Sequence, residues 1–164
     1  RKDLALVCSF GRPKVGYPRQ RLADDIEQFL GYDNTTDAVL IGAGKLGQAL
    51  CGYSGFKAYG LNILAAFDIA PADTQTQEGT PIYPMEQLES FCKANKVLMG
   101  IITVPAQHAQ KVCDQLIAYG IKAVWSFATS HLEVPQGILV QYENMATSLA
   151  VLSMHLQAQM KEKK

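Results

Sequence analysis

Ala38-Val39-Leu40-Ile41-Gly42-Ala43-Gly44-Lys45-Leu46-Gly47 is the stretch that decides the fold. Four apolar residues in a row read as a buried strand, and GxGxxG follows at once. Each glycine has a separate physical reason. Gly42 permits a tight turn, Gly44 lets a pyrophosphate approach the backbone, and Gly47 allows a helix to pack closely on the strand. The N–H groups that open the helix, including those of Lys45 and Leu46, then face the phosphates with the helix dipole behind them. The other reading of these glycines is plain turn punctuation.

Moving outward, Ile63–Phe67 is a second apolar run, closed by Asp68, 21 residues after Gly47. A carboxylate there accepts the hydroxyls of an adenosine ribose and repels a 2′-phosphate, and no arginine follows to offset it. NAD(H) is therefore expected in preference to NADP(H). Apolar runs and amphipathic stretches alternate through the rest. A helix is expected over 45–59 and a short strand at 81–83. A helix carrying Leu88, Phe91 and Cys92 comes next, then a strand over 97–104 broken by Pro105. Another helix spans 106–119, and strands follow at 121–127 and 138–140. This alternation predicts an α/β fold, a Rossmann-type doubly wound parallel sheet over 37–142.

The chain has 164 residues, 48% hydrophobic and 18% charged, a globular balance in which roughly 70% of the unfolded surface can be buried. No apolar run reaches membrane-spanning length and no signal sequence opens the chain, so no membrane partner is expected. Cys8, Cys51, Cys92 and Cys113 are scattered without a CxxC pair, which argues against a metal site or disulfide framework and for a reducing cytoplasm. Arg1 rather than Met stands first, so a piece of a longer protein is expected. Net charge is zero overall, but Arg1, Lys2, Arg12, Lys14, Arg19 and Arg21 against Asp3 make residues 1–22 +5. A basic segment on an acidic body suits a polyanion partner; a solvated basic tail is the other reading.

No catalytic residue is assigned. His108, His131 and His155 are the only histidines, and His108 reads as a surface residue of its helix rather than a proton donor in a cleft. The sheet consumes nearly the whole chain and leaves no room for a substrate domain. Nucleotide binding without turnover follows. From Asn144 to Lys164 a long helix carries Met145, Leu149, Leu152, Leu156 and Met160 on one stripe, to pack on its own sheet or on a second subunit.

The chain resembles the Rex family of bacterial redox-sensing transcriptional repressors. The resemblance lies in Phe10-Gly11 with Val15-Gly16-Tyr17, in the glycine motif with Tyr53-Ser54-Gly55-Phe56, and in Ala65-Ala66-Phe67-Asp68. It continues in Pro81-Ile82-Tyr83-Pro84, Thr103-Val104-Pro105-Ala106 and Val134-Pro135-Gln136-Gly137. It implies a winged-helix DNA-binding region, of which residues 1–31 would be a part, a Rossmann domain that binds NADH or NAD⁺, and a C-terminal helix over 143–164 exchanged within a homodimer. NADH binding would release operator DNA.

The cofactor contacts so implied are Gly42, Ala43, Gly44, Lys45, Leu46, Gly47, Asp68 and Ile69, with Thr103, Val104, Pro105, Phe127 and Ala128 as walls around the nicotinamide. Arg1, Lys2, Arg12 and Lys14 would meet DNA. Tyr53 matches the family's switch tyrosine, with packing as its other reading, and Asn144 stands where the family has an aspartate, so no ion pair can form there. The wing departs from the family at Cys8, Pro13 and Lys14. Arg1-Lys2-Asp3-Leu4 resembles the end of the family's DNA-recognition helix; the two helices that would precede it are not in the sequence, and a helix-turn-helix needs them, so operator DNA is expected as a partner only when they are present. Two alternatives stay open: a coenzyme A- or nucleotide-binding enzyme subunit, and a dimerisation module that senses nothing.

Overall fold

A computed structural model describes residues 18–30 and 36–162. The candidate DNA contacts Arg1, Lys2, Arg12 and Lys14, and the candidate wing, lie outside them. Two compact units divide the chain, residues 1–37 with 53–62 and residues 38–52 with 63–164. In the first, helix α1 (Arg19–Leu30) covers Leu22, Ile26, Phe29 and Leu30, which recur at helical spacing.

The parallel sheet forms as expected. Its strands are β1 (Thr36–Ile41), β2 (Leu61–Asp68), β3 (Ile82–Pro84), β4 (Met99–Ile102), β5 (Ala123–Ser126) and β6 (Leu139–Tyr142), in the spatial order β3-β2-β1-β4-β5-β6. This is the doubly wound Rossmann order, in which the chain reverses direction across the sheet between β1 and β4. In register, Ile41 stands beside Ile102 and Ile102 beside Ser126. Strands buried on both faces must be apolar throughout, which is why Ala38–Ile41 reads as an unbroken run. Phe67, Leu88, Ile102 and Leu116 anchor the core, and the rings of Phe67, Tyr83 and Phe91 meet at its β3 end.

Helices α2 (Lys45–Cys51), α3 (Gly55–Ala58), α4 (Leu88–Asn95) and α5 (Ala106–Ala118) intervene between strands. The single helix expected over 45–59 is in fact α2 and α3, parted at Gly52. The Gly52 N–H donates to Gln48 O (3.1 Å), and a Cβ on Gly52 would stand 2.6 Å from the Glu78 carboxyl carbon, so the loop after β2 docks where the helix would continue. The strand expected over 97–104 is shorter because Lys96 takes a left-handed turn (φ 52°) after α4 and Pro105 opens α5. Helix α5 packs tightly on β4: a Cβ on Gly100 would meet Leu116 Cδ1 at 2.7 Å.

Helix α6 (Met145–Glu162) follows β6 directly. Leu149, Leu152, Leu156 and Met160 are exposed, as are Val151 and Met154 on other faces. The apolar surface is therefore wider than the single stripe expected, and the described residues of this chain do not cover it. No described helix is long and apolar enough to cross a membrane.

Gly47 shows how tightly the first βα unit is built, since a Cβ there would lie 2.1 Å from Gly42 O and 2.9 Å from Leu40 Cδ2. Gly47→Ala is expected to destabilise the protein by about 1–3 kcal/mol through overpacking. Urea unfolding measures this; an unchanged midpoint would contradict the close approach of α2 to the glycine turn.

Candidate functional site

The reversal between β1 and β4 leaves a crevice at the carboxyl ends of the strands, the place where doubly wound sheets bind ligands. A cleft of about 420 Å³ occupies it. Gly42 and Gly44 enter from the turn after β1, Asp68 and Ile69 from the end of β2, Met85 and Glu86 from the turn after β3, and Thr103, Val104 and Pro105 from the end of β4. His108, Lys111, Val112 and Gln115 form the wall contributed by α5.

The glycine turn is held from three sides. Gly42 adopts φ 105°, a conformation that strains any residue with a side chain, and a Cβ there would stand 3.0 Å from Thr103 Oγ1. The Gly42 N–H donates to Phe67 O (2.8 Å), and the Thr103 hydroxyl reaches the carbonyls of Gly42 (2.8 Å) and Ile41 (3.0 Å). Ala43 is fixed at both ends of its residue: its N–H donates to Asp68 Oδ2 (2.8 Å) and its carbonyl accepts from Gln48 Nε2 (3.0 Å). Beyond it, Gly44 is the N-cap of α2, and among the described residues no atom outside its immediate surroundings stands within 4 Å of where its Cβ would be. The first intrahelical bond runs from Gln48 N–H to Gly44 O, so the N–H groups of Lys45, Leu46 and Gly47 have no partner within the helix. This geometry fits a pyrophosphate: free donors at a helix start, and a backbone left bare by glycine.

Asp68 does more than end its strand. Oδ2 takes the Ala43 N–H and Oδ1 takes the Ala70 N–H (3.1 Å). A carboxylate offers about four lone-pair directions, so two remain for ribose hydroxyls.

Seven of the expected contacts thus line one cleft: Gly42, Gly44, Asp68, Ile69, Thr103, Val104 and Pro105. Ala43, Lys45, Leu46 and Gly47 build the turn and helix start beside it. Phe127 and Ala128 are not in its lining. The Phe127 N–H donates to Ile102 O (2.9 Å), which places it at the same carboxyl edge of the sheet, with its ring against Trp125, and Ala128 is in the core. His108 is both exposed and on the cleft. The wall of α5 and the pair Met85 and Glu86 were missed by sequence reasoning. The spacing of residues 108, 111, 112 and 115 on one helical face carried the first signal; nothing local marked the second.

Tyr53 belongs to the first compact unit and Asn144 to the second. Tyr53 is exposed, with its ring edge-on to Phe56 at 4.8 Å. Asn144 Oδ1 accepts the Thr147 N–H (3.1 Å), which makes Asn144 the N-cap of α6. Cys51, Cys92 and Cys113 are free thiols. Burial pushes the Cys51 thiol up to about 11, with the nearby Glu78 carboxylate adding to it, and burial alone does the same to Cys92. Both are protonated and poorly nucleophilic at neutral pH.

A family model described as CoA binding domain matches residues 33–130, which span β1 to β5. The redox-sensing transcriptional repressor Rex of Treponema denticola is 40% identical over 153 residues, covering 93% of this chain and 73% of the relative. The chain belongs to the Rex family. Rex structures agree. RSP, a Rex-family repressor, in complex with β-NAD⁺ and operator DNA superposes with a TM-score of 0.89 at 33% identity, over 99% of this chain and 76% of that one. RSP in complex with β-NADH gives 0.85 at 31% identity, over 99% and 77%. These Rex relatives are named as repressors. The coenzyme A alternative is not favoured, because the relatives that align over nearly the whole chain are Rex repressors.

The capping role of Asn144 gives a direct test. Asn144→Ala is expected to cost about 1 kcal/mol of helix stability, whereas Asn144→Asp keeps the cap and adds a charge that the helix dipole favours. Circular dichroism during thermal unfolding reads both. Equal helicity in the two variants would show that the cap contributes nothing to α6.

Proposed function

We propose that this protein is an NAD(H)-sensing transcriptional repressor, acting in the cytoplasm as a homodimer without catalysing a reaction. It binds operator DNA and releases it when NADH occupies the cleft. The observation that carries this reading is the bare cradle at Gly44 beside the Asp68 carboxylate, within a chain of the Rex family.

Lys45, Leu46 and Gly47 supply backbone N–H groups to the pyrophosphate, and Gly42 and Gly44 keep the turn close to it. Ala43 contributes by orienting that turn. Asp68 takes the adenosine ribose, with Ile69 beside it. The nicotinamide end lies toward Thr103, Val104 and Pro105, with Phe127 at the same carboxyl edge of the sheet and Ala128 in the core behind it. A reduced nicotinamide is neutral and an oxidised one cationic, so an apolar wall favours the reduced form by sparing a charge its desolvation. For the ligand to release DNA, it must bind the DNA-incompetent state more tightly than the competent one.

The domain division proposed is a partial winged helix over 1–31, the nucleotide domain over 37–142 and an exchanged helix over 143–164. Exposed Leu149, Leu152, Leu156 and Met160 support the exchange, since covering each side chain fully is worth roughly 1.5–3 kcal/mol. Arg1, Lys2, Arg12 and Lys14 are the proposed DNA contacts, acting with the helices that precede them in the family. Tyr53 and Asn144 are the proposed responders to the ligand.

Titration with NADH and NAD⁺, read by quenching of Trp125 and by calorimetry, tests the reading. NADH is expected to bind roughly tenfold tighter or more, a difference of about 1.4 kcal/mol. Equal affinities would leave a nucleotide-binding domain that senses nothing, and binding of neither would remove the proposal.

A further inference from the structure

The crossover from β5 to β6, residues 127–138, contains no helix. Its backbone is held instead by side chains that each engage both polar groups of a single residue. Gln110, on α5, donates from Nε2 to Glu133 O (2.9 Å) and accepts the Glu133 N–H at Oε1 (2.8 Å). The same Nε2 also donates to Asp114 Oδ1 (2.8 Å), one turn along the helix, which fixes the orientation of the amide. At the neighbouring residue the Tyr142 hydroxyl accepts the Leu132 N–H (2.9 Å) and donates to Leu132 O (3.3 Å). The Tyr142 ring is stacked on His131 at 5.5 Å. Ser130 Oγ completes the attachment by donating to Ala106 O (3.3 Å) at the start of α5.

These contacts join two places with separate roles. Helix α5 is a wall of the cleft through His108, Lys111, Val112 and Gln115. Tyr142 ends β6, and only Glu143 and the cap Asn144 separate it from α6. Glu143 is itself held, accepting the Trp125 indole N–H (3.2 Å). A continuous line of contacts thus joins α5 to Glu133 by a two-bond amide grip, Glu133 to the adjoining Leu132 by the backbone, and Leu132 to the root of α6 by a two-bond hydroxyl grip. Water could replace any one such bond, but paired bonds to the N–H and C=O of one residue fix both position and orientation.

We propose that Gln110 and Tyr142 are positioning residues that carry nucleotide occupancy from the α5 wall of the cleft to the start of α6. This rests on the nucleotide reading of the cleft. Neither side chain is in the cleft lining assigned to the nucleotide, so their loss separates coupling from binding.

Hydrogen exchange followed by mass spectrometry tests it on the 164-residue chain, with and without NADH, in wild type, Gln110→Leu and Tyr142→Phe. Gln110→Glu is the second variant at its position, since it keeps the acceptor for the Glu133 N–H and loses the donor to Glu133 O. In wild type, NADH is expected to slow exchange in α5, in 127–138 and in 139–146. In the variants protection is expected to stop at α5, while NADH affinity stays within about threefold of wild type. Gln110→Glu is expected to fall between wild type and Gln110→Leu. A purely structural role would raise exchange in the loop with and without NADH and leave the ligand-induced difference at 139–146 intact, which overturns the proposal. Wild-type protection confined to the cleft overturns it too, with the nucleotide reading left standing. A wild type that binds no NADH, seen first in the same samples, overturns the nucleotide reading and the relay with it.

Discussion

Everything in the nucleotide domain depends on the turn at Gly42. The turn must leave β1 with a positive φ, pass within contact distance of Thr103 at the end of β4, and start α2 close enough that Gly47 has no room for a side chain. Three strands meet there. Phe67 of β2 holds the Gly42 N–H, Thr103 after β4 holds its carbonyl, and Asp68 holds the N–H of Ala43. The same bonds that close the fold at the reversal of strand order therefore shape the floor of the cleft. Stability and ligand geometry are set by one set of atoms, which leaves the turn little freedom to rearrange on binding.

That arrangement gives Asp68 two roles. Its carboxylate orders the glycine turn through the Ala43 N–H, and in the proposed function it also takes the adenosine ribose. On that proposal a ligand with a 2′-phosphate would confront a charge that also orders the turn. The helix-free crossover after β5 illustrates a related economy. Gln110 and Tyr142 satisfy backbone groups that a helix would have satisfied internally.

Much of this was legible in the sequence, and the reasons are local. The run Ala38–Ile41, the three glycines and Asp68 at its distance each encode a backbone requirement that few residue types meet, so the Rossmann class and half of the cleft could be read directly. Tertiary contact decided the rest. At Gly52, where α2 ends, the nearest neighbour is the Glu78 carboxyl from the loop after β2, a contact that the residues of the helix do not announce. Met85 and Glu86 reach the cleft only because β3 lies at the sheet edge beside β2. Asn144, read as the stand-in for a charged switch partner, is the cap of α6, a role that the pattern Asn-x-x-Thr before an apolar helix permits but does not demand. The exposed apolar faces of α6 were foreseen as a single stripe, because periodicity reports one preferred face and not a helix in need of cover on several sides.

The central claim is that the glycine turn is a nucleotide cradle and not merely a tight corner. Gly44 separates the two, since no atom of the other described residues outside its immediate surroundings lies within 4 Å of its missing Cβ and its φ of −72° suits any residue. Thermal unfolding of Gly44→Ala with and without NADH is the direct measurement. The account predicts a melting temperature within a few degrees of wild type without ligand and loss of most of the stabilisation that NADH gives wild type. NADH stabilising Gly44→Ala as strongly as wild type would contradict it.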